Sequence, residues 1–255
     1  MCQNTGLASN LATHMEKLIA QLVRLYLMPG TDPAGLAQHL LGQHTVSTPL
    51  ESSEGLTRAI VIDFPRAAED ETRHWGQLCE VANTLQEKLG LPAPAVSITG
   101  GNAFRLWLSL RDPVPAASVR RFLSLLRTAY FPELPLHASS AVELPPCLHH
   151  ETGKWAAFIH PGMGASFAGE AGLELSPPAA AQLAFLEGLD SIGAAQFEAA
   201  MAAMHRPREA APVHVPAAAP PGGLLLKDAT LEDIVRHLHA LGIEPTFRHV
   251  LPGRG

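Results

Sequence analysis

The sequence predicts an α+β protein. Short β-branched and apolar runs fall near positions 47, 60, 98, 106 and 157. They are interleaved with longer stretches whose apolar residues recur at three- and four-residue spacing, the period of an amphipathic helix. A length of 255 residues with 47% hydrophobic content supports one sizeable domain plus an appendage, or two small domains.

The first element is a helix from Asn10 to Met28, with Leu11, Met15, Leu18, Ile19, Leu22, Val23, Tyr26 and Leu27 on its apolar face and Pro29-Gly30 at its end. Thr31 or Asp32 is placed to cap a second helix reaching about Gly42, with Pro33 in its first turn. The run RAIVIDFPR, residues 58 to 66, reads as a buried strand ending in Asp63. A stiff β-branched strand fixes the direction of a terminal carboxylate, which suits a divalent metal. Glu69, Asp70 and Glu71 suit a helix N-terminus; Trp75, Leu78, Val81, Ala82, Leu85 and Leu89 continue that helix, and Gly90 stops it.

Pro92 and Pro94 lead into VSITGGNAFRLWL, residues 96 to 108. The Gly100-Gly101 pair allows a tight turn and close approach of a ligand to the backbone. Asn102 and Arg105 flank it. An arginine fork beside a glycine turn suits phosphate; a bulged strand in an ordinary sheet fits the same residues. After Leu110, the turn Arg111-Asp112-Pro113 is expected to open a helix. Between residues 105 and 127, Arg105, Arg111, Arg120, Arg121 and Arg127 face one acid, Asp112. Such a stripe could follow a nucleic-acid backbone or a triphosphate, or be a solvated helix face.

Cys147, His149, His150 and His160 are the densest group of soft or borderline donors, yet 13 histidines make chance clustering the better account. Ser176-Pro177-Pro178 starts a helix to about Leu189, and another covers Ala194 to Met204. The Pro- and Ala-rich stretch from Arg206 to Gly223 reads as a linker. A last helix, Leu231 to Leu241, has Thr230 and Asp233 in capping-box-like spacing and Gly242 as its stop; it is suited to docking on the domain or on a protein partner.

The formal net charge of −6 argues against non-specific coating of nucleic acid but leaves room for a local basic groove. No run approaches the roughly 20 apolar residues of a membrane span, so no membrane partner is expected, and the location expected is cytoplasmic. Three widely spaced cysteines support neither a disulfide framework nor a cysteine zinc cluster.

Four segments together resemble the archaeo-eukaryotic primase-polymerase superfamily, in particular its plasmid and conflict-system primase domains. HLLGQHTVSTPLE, residues 39 to 51, is similar to a segment leading to the first catalytic strand, with His39, Leu40, Gly42 and Thr45 in matching places. RAIVIDFPR is similar to that strand, with Asp63 as the first of two acids; Pro65 stands where the second is expected. TGGNAFRLWL, residues 99 to 108, is similar to the second signature, with Arg105 at the place of a His. VELPPCLHHETGKWAAFIHPG, residues 142 to 162, is similar to the third through Leu144, Pro145, Leu148, His149, His150, Thr152, Gly153 and Lys154. Glu143 sits where an Arg is expected, and HASSAV, residues 137 to 142, carries no Asp where the relatives bind metal.

The resemblance, over about residues 39 to 190, implies an RNA-recognition-motif-like (RRM-like) catalytic core with an N-terminal α/β portion and peripheral helices. The expected organisation is an N-terminal helical segment (1–38), a primase-polymerase-like domain (39–205), a linker (206–223) and a helical tail (224–255). Asp63 would be a catalytic metal ligand for Mg²⁺ or Mn²⁺. Thr99, Gly100, Gly101, Asn102 and Arg105 would cradle phosphate, with His149 and Lys154 adding contacts and Arg105 also catalytic; Arg111, Arg120, Arg121 and Arg127 would contact DNA or RNA. With one acid of the pair missing, a two-metal site for nucleotidyl transfer is hard to assemble. The implied function is nucleotide or nucleic-acid binding around an eroded replication-type centre. The alternatives are a working DNA primase or polymerase whose metal site is completed by Glu143 or another acid, and a non-catalytic partner-binding module.

Overall fold

The computed structural model describes residues 4–31, 35–66, 73–167 and 169–205, with side chains of the first helix from residue 12 onward. Its elements are α1 (Asn4–Tyr26), α2 (Leu36–Leu40), β1 (Thr48–Pro49), β2 (Leu56–Pro65), α3 (Arg73–Glu87), β3 (Ala95–Ile98) and β4 (Ala103–Pro115). They continue with α4 (Ala116–Tyr130), β5 (Ala141–Val142), β6 (Cys147–His149), β7 (Lys154–Ile159), a 3₁₀ turn (Pro161–Phe167), α5 (Ala179–Glu187) and α6 (Ala194–His205). The chain divides into two units, Met1–Pro207 and Arg208–Gly255. The expected linker and tail helix lie outside the described residues, as do Cys2, Asp32, Pro33, Glu69, Asp70 and Glu71.

The main sheet is antiparallel, in the order β2-β4-β3-β7-β6. Its first part runs strand, helix, strand, strand, helix from β2 to α4. The chain then returns to the outer edge of β2, where Ala138 bridges Ile62 and Ser139 N–H donates to Val61 O at 2.9 Å. A second, two-stranded sheet joins β1 to β5.

Side chains alternate across the sheet, and both faces are covered. Ile60, Ile62, Phe64, Val96, Ile98, Phe104, Leu106 and Leu108 face α3, α4 and α6. Ala59, Val61, Ala95, Trp107 and Phe158 face α1, α2 and α5. Two covered faces explain why β2 reads as an unbroken AIVI run, since a strand buried on both sides has no polar alternation. On the second face Tyr26 packs 5.0 Å from the Trp107 ring, and Trp107 Nε1–H donates to Ser97 Oγ at 2.8 Å, which satisfies a fully buried donor. Each fully buried Leu or Val contributes about 1.5–3 kcal/mol.

The helical cover on that second face ends at Val61 and Trp107. The next residues outward on the same face are Asp63 of β2 and Arg105 of β4, which are only partly covered. Period-2 alternation therefore carries two charged side chains onto a part of this face that is less covered than the positions of Val61 and Trp107.

Two expectations are corrected. The second helix begins at Leu36 after Gly35 (φ 83°), and Thr31 is turned back to donate its hydroxyl to Met28 O at 2.7 Å. The helix α2 extends to Leu40. The helix after Leu110 starts at Ala116, since β4 continues to Pro115. Its pairing with β2 breaks between Thr57 and Ala59, and Pro113 is accommodated in that irregular stretch, where no ladder donor is required. The helices α5 and α6 lie on opposite faces of the sheet: Leu183 and Leu186 join α1, whereas Phe197 and Met204 join α4. Among the described residues no helix is long and apolar enough to cross a membrane.

Candidate functional site

Asp63 and Arg105 are direct cross-strand partners of β2 and β4, so strand register sets their contact. Arg105 Nε–H donates to Asp63 Oδ1 at 2.6 Å, and Ser139 Oγ–H donates to Asp63 Oδ2 at 2.6 Å. The far end of the guanidinium turns to Glu143, donating through Nη1 and Nη2 to Oε2 and through Nη1 to the backbone carbonyl, each at 3.3 Å. The Arg105 side chain is 14% exposed, against 40% for Asp63 and 41% for Glu143. The cation is thus the inner member, with both carboxylates toward solvent. Behind it, burial and the Glu143 charge push the Cys147 thiol up to about 12, with Arg105 acting the other way.

The Thr99 to Asn102 turn closes the β3-β4 hairpin three residues before Arg105. Thr99 Oγ1 donates to Ala103 O at 3.0 Å and accepts N–H from Gly101 and Ala103 at 3.2 and 3.3 Å. These donors already serve the turn itself. Gly100 has φ 75°, and a Cβ there would lie 2.8 Å from His149 Cβ and 2.9 Å from Lys154 O. The glycine is required because the β6-β7 hairpin packs against the turn. Thr152 Oγ1–H donates to Gly100 O at 2.5 Å, which fastens the two hairpins together. Gly101 and His149 meet at this junction, since a Cβ on Gly101 would lie 3.0 Å from His149 Nε2, while the next residue, Asn102, accepts the Arg66 N–H through its carbonyl at 2.9 Å.

Lys154 is turned to two acids that the sequence reading missed, Glu174 at 3.1 Å and Glu170 at 3.3 Å. Hydrogen bonding to Glu174, then Glu170, raises its pKa. The arginines do not form one stripe. Arg105 projects from the sheet face toward α1 and α5, while α4, which carries Arg120, Arg121 and Arg127, packs on the opposite face. Arg120 lies 3.6 Å from Glu51, and Arg121 Nη2 is 2.8 Å from His205 Nε2. Arg111 and Arg127 are exposed. Linear charge counting could not show this separation.

A divalent metal of the kind the resemblance implies does not fit the donors around Asp63. Both of its carboxylate oxygens accept strong hydrogen bonds, Pro65 cannot ligate, and Ser97, the other cross-strand neighbour of Arg105, already accepts from Trp107. A +2 ion about 4 Å from the guanidinium would be repelled by roughly 8 kcal/mol at an effective dielectric constant of about 20. Among the described residues no group of three or more His, Cys, Asp or Glu side chains is placed to hold a metal ion. Glu143 was noticeable in the sequence only as an acid in place of a basic residue; Ser139 had no signal beyond its position before β5. A groove of about 610 Å³ lies elsewhere, lined by Phe158, His160, Met163, Phe167, Leu175 and Gln182 among others; of the donors singled out in the sequence His160 reaches it, and Asp63, Arg105, His149 and Lys154 do not.

No protein-family model matches the chain, and no curated protein does. Among solved structures the chain is similar to the AEP domain of the primase-polymerase (PrimPol) of cyanophage S-2L, with 22% identity over 43% of this chain and a TM-score of 0.30. The match spans 58% of the length of that domain.

Proposed function

We propose that this chain is a primase-polymerase-like protein that binds nucleic acid or nucleotides through the face around Arg105, with the two-metal nucleotidyl-transfer centre eroded. The observation that carries the reading is the Asp63–Arg105 pair. It sets Arg105, whose fork suits phosphate and is held by Asp63 and Glu143, three residues beyond a glycine hairpin turn, so that a phosphate would bind by displacing Glu143 from the terminal nitrogens. The ordered resemblance of the segments at 39–51, 58–66, 99–108 and 142–162 supports it. So does the strand-helix-strand-strand-helix order from β2 to α4 with a return to the edge of β2, the arrangement expected of an RRM-like core.

The test is fluorescence anisotropy of labelled single-stranded DNA, RNA and a nucleoside triphosphate with the full chain, across a salt series. Binding should weaken as salt rises, because phosphate contacts release counterions, and Arg105→Gln should weaken it at least tenfold. Absence of binding to all three probes at low salt rejects the reading.

One observation favours a second reading. Glu143 is brought through Arg105 to within one guanidinium of Asp63, which is the acid a working primase or polymerase would need. Primer synthesis and extension with Mg²⁺ or Mn²⁺, compared with Asp63→Ala, separates the two. Metal-dependent product that disappears in the variant establishes the enzyme; its absence from the natural protein leaves the binding function.

A further inference from the structure

From the arrangement of donors around Asp63 we infer that the guanidinium of Arg105 is a resident cation of this site, holding the space between Asp63 and Glu143 that a divalent metal would need and making the site metal-independent. The inference goes beyond nucleic-acid binding and does not depend on it.

Three features support it. The contact is built into the β2-β4 register, so the guanidinium is delivered to Asp63 by the sheet and not by a mobile loop. Arg105 spans both acids at once, with Nε on Asp63 and the two terminal nitrogens on Glu143; a planar fork does this without the dehydration a hard divalent ion requires. The cation is also the most buried of the three side chains, so the acids are arranged around it. Ser139 completes the set by donating to the remaining Asp63 oxygen, and a hydroxyl donor there supports a carboxylate already balanced by its cation.

A substitution should expose the vacancy the arginine fills. In Arg105→Gln, Asp63 and Glu143 lose their shared positive charge and become a pair of oxygen ligands facing solvent. The experiment titrates the full-length protein with Mn²⁺ alone, following free Mn²⁺ by electron paramagnetic resonance and the thermal midpoint in parallel. The natural protein should show no Mn²⁺ equivalent that depends on Asp63. Arg105→Gln should gain one, with a Kd on the order of 10⁻⁴–10⁻³ M, as for weak oxygen sites, and adding Asp63→Asn should abolish it. Arg105→Lys keeps a positive charge at this position and should stay as silent toward Mn²⁺ as the natural protein.

Two results overturn the inference: an equivalent of Mn²⁺ bound by the natural protein and lost on Asp63→Asn, or no gain in an Arg105→Gln variant whose near-ultraviolet circular dichroism is native. If Arg105→Gln does not fold, the comparison of the natural protein with Asp63→Asn still decides. Anisotropy in the presence of EDTA separates the two ideas. Absence of nucleic-acid binding both with and without EDTA, with Mn²⁺ silence intact, defeats the proposed function alone, and an Asp63-dependent Mn²⁺ equivalent with binding intact defeats the resident-cation inference alone.

Discussion

Asp63 and Arg105 stand opposite each other on β2 and β4, joined by a 2.6 Å contact from Nε to Oδ1, at the point where helices stop covering the sheet. Asp63 is 40% exposed, so solvent screens the pair and its coupling is modest. A double-mutant cycle with Asp63→Ala and Arg105→Ala, followed by urea unfolding, should give a coupling energy of about 1 kcal/mol. A coupling near zero would make the contact incidental.

His39 is a structural histidine. It is fully buried; Nδ1 accepts the Val46 N–H at 3.0 Å, so the ring proton is on Nε2 and is donated to Leu144 O at 2.8 Å. His39→Leu should cost roughly 2–4 kcal/mol, because two buried backbone groups lose their partner. Desolvation lowers the His39 pKa, more than the hydrogen bond to Leu144 and the Glu143 charge raise it. The unfolded chain therefore binds the proton more readily. The contribution of His39 is complete above an unfolded pKa of about 6.5 and declines as pH falls below it. The difference between natural and His39→Leu stabilities, measured by urea unfolding at pH 7.5 and 5.5, should shrink at the lower pH.

Gly100 and Gly90 both have positive φ, 75° and 64°, but a Cβ on Gly90 meets nothing within 4 Å whereas one on Gly100 meets the β6-β7 hairpin. Gly90→Ala should cost about 1–2 kcal/mol for the left-handed backbone alone. Gly100→Ala should cost at least about 1 kcal/mol more, since the main chain at Lys154 must move. Equal thermal shifts for the two would show that the hairpins are not packed as described.

Gln182 closes part of the sheet edge. Its side-chain amide donates to Phe158 O at 3.0 Å and accepts the Phe158 N–H at 2.9 Å, in place of a neighbouring strand. Gln182→Leu should cost about 1–3 kcal/mol and raise the tendency to associate through the bared edge. Unfolding curves and light scattering against protein concentration check both outcomes.

Cys147 is 1% exposed, and its thiol is held up to about 12 chiefly by burial. At pH 8 it should resist iodoacetamide in the native protein and react on unfolding. Mass mapping of the labelled cysteines would show it; rapid native labelling of Cys147 would contradict the packing of β6 against the sheet.

The helices α1, α3, α4, α5 and α6 were legible in the chain because apolar spacing, proline and glycine are local signals. The carboxylate-ended strand and the glycine turn before Arg105 were legible for the same reason. The faces were not. Whether Arg105 looks toward α4 or toward α1 depends on which helix packs on which side of the sheet, and only long-range packing settles that, so the expected arginine stripe came apart. Gln182 as an edge cap and Glu170 and Glu174 as partners of Lys154 had no local signature at all.

The sequence by itself determined the elements, the position of Asp63 at a strand end and the shortage of acids beside it, because these follow from residue type and spacing along the chain. Tertiary structure alone decided that Asp63 pairs with Arg105, that Glu143 and Ser139 complete the set, and that Lys154 is already engaged. Cross-strand register and the return of the chain after α4 bring together residues 42, 38 and 76 positions apart, and no periodicity in the chain encodes contacts over such separations.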